Sequence, residues 1–237
     1  MGRWIEARDH ESRLFIPYYV DAFSEVGIAT LQLSERLDLE VVYPLDQTCC
    51  GQMMANSGSQ KDATGAEALF IENFKQFDQI VTPSGSCAYH VREHLDAIPQ
   101  TAETQRVRST TYELVEFLHD VLKVESFPWA EFPYKVGLHN SGSTLRKLRT
   151  AKALEIDEPF FSKPLDLRRK VRDIEFVTPS RPDECCGFGG TFCIFEEPVS
   201  AKMGYDKVAD QRIKVIKQAA HPGKVGLPAV RTHLRYR

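Results

Sequence analysis

Short apolar runs alternate along this chain with longer stretches in which apolar residues recur at every third or fourth position. The run Leu14-Phe15-Ile16-Pro17-Tyr18 reads as a short strand that ends in a turn. Phe23, Val26, Thr30, Leu31 and Leu37 then fall on one face of a helix, and a strand over 39–43 leads into Thr48-Cys49-Cys50-Gly51-Gln52. Ala63, Ala66, Leu69, Phe70 and Phe74 mark a further helix, which returns to a strand over 79–82. Cys87 stands just past that strand's end. The same order of parts begins again at residue 135. A strand over 135–139 stops at Asn140-Ser141-Gly142, helical positions follow over 143–154, and a strand over 174–177 precedes Cys185-Cys186-Gly187.

Strands that alternate with helices pair in parallel, because each helix carries the chain back to the start of the next strand. Functional loops then gather at the carboxyl ends of the strands. The pattern predicts an α/β fold of two tandem, similar Rossmann-like modules with parallel sheets, each carrying its Cys-Cys-Gly loop at a strand's carboxyl end. The first module is expected over 1–130 and the second, incomplete one over 131–211, followed by a basic tail over 212–237.

Composition supports a folded chain: 42% of the 237 residues are hydrophobic, too many for wholesale disorder. No stretch approaches the roughly 18 apolar residues of a membrane span. The first eleven residues are charged throughout and lack the apolar core of a secretion signal, so the expected compartment is the cytoplasm. The net charge of -3 hides an asymmetry. From Arg212 onward there are seven Lys and Arg and no acid, which leaves 23 basic against 33 acidic residues in the preceding 211. An acidic body excludes a nucleic-acid binder of the usual kind. The tail admits two readings, a basic arm that touches phosphate and an aberrant terminus.

The cysteines carry the candidate chemistry. Cys49-Cys50 and Cys185-Cys186 are adjacent pairs, each followed by glycine; Cys87 closes Pro83-Ser84-Gly85-Ser86-Cys87, and Cys193 follows the second pair. Adjacent cysteines rarely bridge each other, since their Cα atoms lie only about 3.8 Å apart. The options are an iron–sulfur or other metal site, a redox-active thiol pair, and plain packing of a small apolar side chain. Two side chains in sequence normally point apart, so aiming both sulfurs at one cluster needs a tight turn, and glycine supplies it. Backbone N–H groups of such a turn also favour thiolate. Zinc sites space their cysteines about two to four residues apart, which these pairs do not.

Several segments in fixed order carry a resemblance. They are Phe15-Ile16-Pro17-x-Tyr19-Val20-Asp21, Tyr43-Pro44-x-x-Gln47-Thr48-Cys49-Cys50-Gly51-Gln52, Pro83-Ser84-Gly85-Ser86-Cys87, Leu138-His139-Asn140-Ser141-x-Ser143-Thr144-Leu145-Arg146 and Cys185-Cys186-Gly187-Phe188-Gly189-Gly190-Thr191-Phe192. The chain resembles the LutA/YkgE family, the cysteine-rich CCG-domain proteins of lactate utilisation, over 14–210. That family is related to the B subunit of heterodisulfide reductase and the iron–sulfur subunit of glycolate oxidase. The resemblance implies an iron–sulfur electron-transfer subunit, with a cluster of 4Fe–4S type held by Cys49, Cys50, Cys87, Cys185 and Cys186. It also implies a complex of NAD-independent L-lactate dehydrogenase type. That complex oxidises L-lactate, a 2-hydroxy acid, to pyruvate with a second iron–sulfur protein and a third subunit.

Three departures from the family pattern bear on that expectation. Tyr18 and Gly142 stand where the family has cysteine, and the third cysteine segment of the second module is replaced by the basic tail. A change of reading frame near Arg212 is the expected origin of that tail. A phenol titrates at about pH 10 and offers a harder oxygen donor, so Tyr18 is a poor substitute for thiolate. A cluster usually takes four cysteines; the first module keeps three and the second two, with Cys193 as an extra thiol. The expected state is a labile first cluster and no full second one. The alternative readings are a cluster-deficient scaffold and a zinc-stabilised one.

The other candidates carry less. His139, at a strand end, reads as a satisfied, partly buried histidine. His90 and His94 read as surface residues, because the i, i+4 pair lacks a metalloprotease signature. Gly187-x-Gly189-Gly190 is not a dinucleotide fingerprint. Glu113, Glu116 and Asp120 read as the solvated face of an amphipathic helix over 112–122.

Overall fold

The computed structural model describes residues 12–14 and 24–218. Tyr18, the predicted strand beyond Leu14 and the tail beyond 218 lie outside the described residues. The chain divides into two compact units, the first ending at Phe117 and the second beginning at Leu118. Both are α/β with parallel sheets, as the alternation of periods predicts.

In the first unit, strands β1 (Ser12–Leu14), β2 (Val41–Val42), β3 (Gln79–Thr82) and β4 (Thr111–Glu113) form one parallel sheet in the order β2-β1-β3-β4. Helix α1 (Ser24–Glu35) connects β1 to β2. Beyond β2 come α2 (Gln52–Asn56), a 3-10 turn over Gln60–Ala63 and α3 (Thr64–Phe74), which returns the chain to β3. Helices α4 (Gly85–His94) and α5 (Ala102–Ser109) connect β3 to β4. The strand order makes the chain leave β1 in one direction and β3 in the other. Parallel α/β folds place their ligands where the strand order reverses in this way, here between β1 and β3.

The core of this unit explains its rigidity there. Ile80, Val81 and Thr82 of β3 are all buried, as expected of a parallel strand covered on both faces. Phe70, Ile71, Phe74 and Phe77 pack with Val91, Leu95 and Val107, and the Phe70 and Phe74 rings lie 4.7 Å apart. Cys50 and Cys87 belong to the same apolar cluster. The sulfur site is therefore built on the core rather than appended to it.

Strand β4 is a correction to the sequence reading. Thr111, Tyr112 and Glu113 pair with Ile80, Val81 and Thr82 of β3, and only then does a helical turn, α6 (Leu114–Glu116), begin. A π-helical turn follows over Phe117–Val121. Glu113 caps α6 by accepting the N–H groups of Val115 and Glu116 at 2.8 and 3.4 Å. Glu116 reciprocates by accepting the Glu113 N–H at 3.3 Å, and Arg92 Nη1 donates to both its oxygens at 3.1 and 3.2 Å. Glu113 and Glu116 are thus buried and partnered rather than solvated. Asp120 does lie at the surface, where it meets His119 Nδ1 at 2.7 Å and Lys163.

In the second unit, β5 (Lys135–Gly137) and β6 (Glu175–Val177) pair in parallel. The helix predicted over 143–154 shrinks to a π-helical turn, Ser143–Lys147. Arg149 adopts a φ of 53°, which a helix cannot continue through. Thr150 and Lys152 then exchange backbone hydrogen bonds with Lys163 and Phe161. Leu145, Ala151 and Ala153 form the small core that this turn covers. Helix α7 (Lys163–Arg168) follows, capped by Ser162, and the described chain ends in α8 (Phe192–Phe195) and α9 (Glu197–Gln218). Among the described residues no helix is long and apolar enough to cross a membrane.

The buried capping pair makes a testable statement. Substituting Glu113→Ala removes the cap of α6 and leaves two N–H groups to find other partners, so urea unfolding should show a loss of about 1–2 kcal/mol. Asp120→Ala, at the surface, should cost about 0.5 kcal/mol or less.

Candidate functional site

Cys49 and Cys50 lie in the loop that joins β2 to α2, and Gly51 supplies the N-cap of that helix. Gly51 takes a φ of 87°, and its carbonyl accepts the N–H groups of Met54 and Ala55, both at 3.1 Å. This left-handed turn lets two consecutive sulfurs serve one place. Close packing demands glycine as well: a Cβ at Gly51 would lie 3.2 Å from Ala63 Cβ and 3.3 Å from Glu67 Cγ. Cys50 is 1% exposed, while Cys49 is half-buried.

Cys87 arrives from a different strand of the same sheet. It is the third residue of α4, directly after β3, and Ser84 caps the helix by accepting the Cys87 N–H at 3.4 Å. The Cys50 thiol is in hydrogen-bonding contact with both Cys49 and Cys87. The structure thus brings together three of the five cysteines singled out in the sequence.

Their acidities divide the labour. Cys49 is lowered to about 6, chiefly by the hydrogen bond from Cys50, with help from the backbone at Gly51 and Met53 and against the cost of burial. Cys87 is lowered too, first by Cys50 and, against burial, also by the Ser84 and Ser86 hydroxyls. Cys50 is raised because it keeps its proton for its two neighbours and is itself buried. Two sulfurs are therefore disposed to carry negative charge, and a third bridges them.

This donor set suits an iron–sulfur cluster, in which soft thiolates each bind a different iron. Among the described residues no group of three or more His, Cys, Asp and Glu is arranged to hold one metal ion. The fourth family position, occupied by Tyr18, lies outside the described residues.

The second Cys-Cys-Gly segment is assembled differently. Cys185 is exposed and Cys186 half-buried; Cys185 Sγ accepts the Gly187 N–H at 3.3 Å, and burial raises the Cys186 thiol. Cys193 turns back on its own loop and donates to the Gly190 carbonyl at 2.9 Å. Gly142 opens the π-helical turn with nothing within 4 Å of its Cβ position, so a cysteine would find room there. His139 sits half-buried just past β5. Gly187, Gly189 and Gly190 all take positive φ, as a tight turn needs.

Residues that the sequence reading passed over hold this second loop. Lys207 of α9 is 1% exposed and donates through Nζ to the carbonyls of Arg181 and Pro182 at 2.8 and 3.2 Å. Asp210, one turn further, accepts the N–H groups of Ser180 and Arg181, each at 3.2 Å. A Lys and an Asp three positions apart on a helix look like any solvated face, so no sequence signal marked them.

His90 is a correction of the opposite kind. It is not a surface residue: it is 1% exposed, beside Glu67 of α3, which is 0% exposed. It shares the buried side of α4 with Cys87, Ala88 and Val91, and of the two histidines His94 is the exposed one.

A pair of thiol-bearing turns, one in each α/β unit, defines a class. Residues 17–92 and 149–219 match the CCG cysteine-rich domain, and the chain belongs to that family. The matched ranges contain Cys49, Cys50 and Cys87 in the first and Cys185 and Cys186 in the second. Among its relatives is the Lactate utilization protein A of Bacillus licheniformis, 40% identical over 201 residues, or 83% of this chain and 80% of the relative. The protein of the same name from Geobacillus kaustophilus is 39% identical over 82% of this chain and 79% of its own. That from Anoxybacillus flavithermus is 38% identical over 86% and 82%.

Two outcomes follow for the thiols and their glycines. In metal-free protein, alkylation of Cys49 by iodoacetamide should reach half its limiting rate near pH 6, the thiolate being present above that value and lost below it. Replacing Cys50→Ala removes the proton donor and should move the midpoint upward, read by peptide mass spectrometry. Gly187→Ala should destabilise more than Gly51→Ala in thermal unfolding. Both force a left-handed alanine at a cost of order 1–3 kcal/mol, but at Gly187 the new Cβ also lands 2.6 Å from the Ser200 carbonyl and 2.8 Å from Met203 Cβ.

Proposed function

We propose that the chain is an iron–sulfur electron-transfer subunit of a system that oxidises L-lactate, a 2-hydroxy acid, to pyruvate in the cytoplasm. The observation that carries this reading is the convergence of three thiols, two of them lowered, at the carboxyl edge of the first parallel sheet. The relatives' names, which speak of lactate utilisation, supply the substrate class. Cys49, Cys50 and Cys87 would hold the cluster of the first module; Cys185 and Cys186 are the candidates in the second. When bound, such a cluster, of 4Fe–4S type in this reading, accepts and releases single electrons.

The protein's own contribution is to hold sulfur in place and keep it charged. The turn at Gly51 aims backbone N–H groups at Cys49, and the Ser84 and Ser86 hydroxyls face Cys87; both lower the cost of negative charge. Burial of Cys50 and Cys87 excludes water from that side. In this reading the chain would act together with a second iron–sulfur protein and a third subunit of the same system.

A second reading is a scaffold that keeps the fold without its clusters. The second unit favours it locally: Cys193 is engaged by the Gly190 carbonyl of its own loop, and Lys207 and Asp210 hold the preceding segment through protein contacts.

Iron and acid-labile sulfide analysis of anaerobically reconstituted protein, with a visible spectrum, separates these readings. The expected result is a brown protein with several irons per chain. Cys50→Ser and Cys87→Ser should lose most of that iron, Cys193→Ser should lose none, and Tyr18→Cys should gain occupancy. A colourless, folded protein would establish the scaffold, and stoichiometric zinc without iron would establish a zinc-held one.

A further inference from the structure

One buried polar pair lies behind the thiols and is not accounted for by their chemistry. His90 Nε2 and Glu67 Oε1 face each other at 3.6 Å, and neither atom has a hydrogen-bond partner among the described residues. Buried polar atoms left unpartnered are costly, so two that face each other imply one proton between them. A movement of about half an ångström brings them into bonding range. The other carboxyl oxygen of Glu67, Oε2, accepts the Ala97 N–H at 2.8 Å. The backbone of Cys50 is close enough to the His90 ring to favour a proton on it. With Nε2 turned to Glu67, Nδ1 is the nitrogen left to face the Cys50 backbone.

These groups line up in one direction. Ala97 N–H donates to Glu67, and after the closing movement Glu67 would donate to His90 and His90 to Cys50. Burial opposes charge on either side chain, raising Glu67 and lowering His90 to about 4, which agrees with a neutral pair. Glu67 also lies against Gly51 through its Cγ, so the pair braces both ends of the Cys50 peptide.

We propose that Glu67 and His90 are positioning residues that fix the Cys50 peptide and so hold its sulfur against Cys87 before any cluster is present. The significance of Cys50 rests on the reading given above, but the hydrogen-bond chain stands without metal, and its test is made on metal-free protein.

The test is the alkylation rate of Cys50 by iodoacetamide in folded, metal-free protein, with iron uptake measured separately. Alkylation of a buried thiol passes through local opening, so loss of one buried hydrogen bond should speed it roughly tenfold in Glu67→Met and in His90→Phe. Glu67→Gln should retain the slow rate, because its amide nitrogen donates to His90 while its oxygen accepts from Ala97. Unchanged rates in Glu67→Met and His90→Phe would overturn the proposal, as would a Glu67→Gln rate as fast as that of Glu67→Met. Hydrogen exchange at the Ala97 amide of the unaltered chain needs no variant. Strong protection is expected, and exchange at the rate of an open loop would also overturn the proposal. Failure of the unaltered chain to take up iron would refute the cluster reading and leave these rates to decide the positioning role.

Discussion

Cys50 and Cys87 are almost wholly withdrawn from water, yet their side chains touch, and charge placed on buried sulfur is expensive unless protons and N–H dipoles are arranged around it. Much of the first unit can be understood as the means of meeting that cost. Strand β3 ends where α4 must begin, and the Ser84 cap, which accepts the Cys87 N–H, brings the Ser84 and Ser86 hydroxyls to the Cys87 thiol. The left-handed turn at Gly51 supplies backbone N–H groups to Cys49. Cys50, between them, retains a proton that both neighbours use. The apolar cluster of Phe70, Phe74, Ile80 and Val91 holds these turns at fixed separation, because the two cysteines are part of that cluster.

The same constraint explains why a buried acid is tolerated so near to sulfur. An ionised Glu67 would oppose thiolate on its neighbours and would itself be stranded in an apolar site. With its pKa pushed up by burial, tied to the Ala97 N–H and facing His90, it is placed to act as a connector between the loop after α4 and the Cys50 peptide. Polar residues in a core commonly serve geometry in this way, provided each donor and acceptor is satisfied.

How much of this was legible in the sequence depends on the range of the interaction that decided each element. Strand β3, marked by Ile80 and Val81 between flanking helical periods, appears over the predicted residues, and the Cys-Cys-Gly turns are visible because vicinal cysteine with glycine has few other uses. The failures share a cause. Thr111-Tyr112-Glu113 has too few residues to show a period of two, and its identity as a strand comes from pairing with β3, more than 25 residues earlier in sequence. Glu113, Glu116 and His90 were assigned to the surface by their polarity, whereas partners distant in sequence, Arg92 for Glu116 and Glu67 for His90, decide their burial. The helix expected over 143–154 fails at Arg149, where backbone bonds to the segment before α7 outweigh local preference. Periodicity reports local preference; it cannot report a partner.

The two Cys-Cys-Gly turns finally separate what the motif does for folding from what it does for chemistry. Gly51 and Gly187 have nearly the same φ, 87° and 82°, but the space each leaves for a missing Cβ is filled by different things. At Gly51 the neighbours are Ala63 and Glu67, which lead to the positioning of Cys50; at Gly187 they are the Ser200 carbonyl and Met203 of α9. The second loop is further tied to that helix by Lys207 and Asp210, all of it protein against protein. Such a turn must keep its glycine to fold, whether or not its cysteines bind anything. Retention of the Cys-Cys-Gly triplet is therefore a poor measure of cluster binding. The better measure is whether a third sulfur is brought to the pair, and among the described residues only the first unit does this.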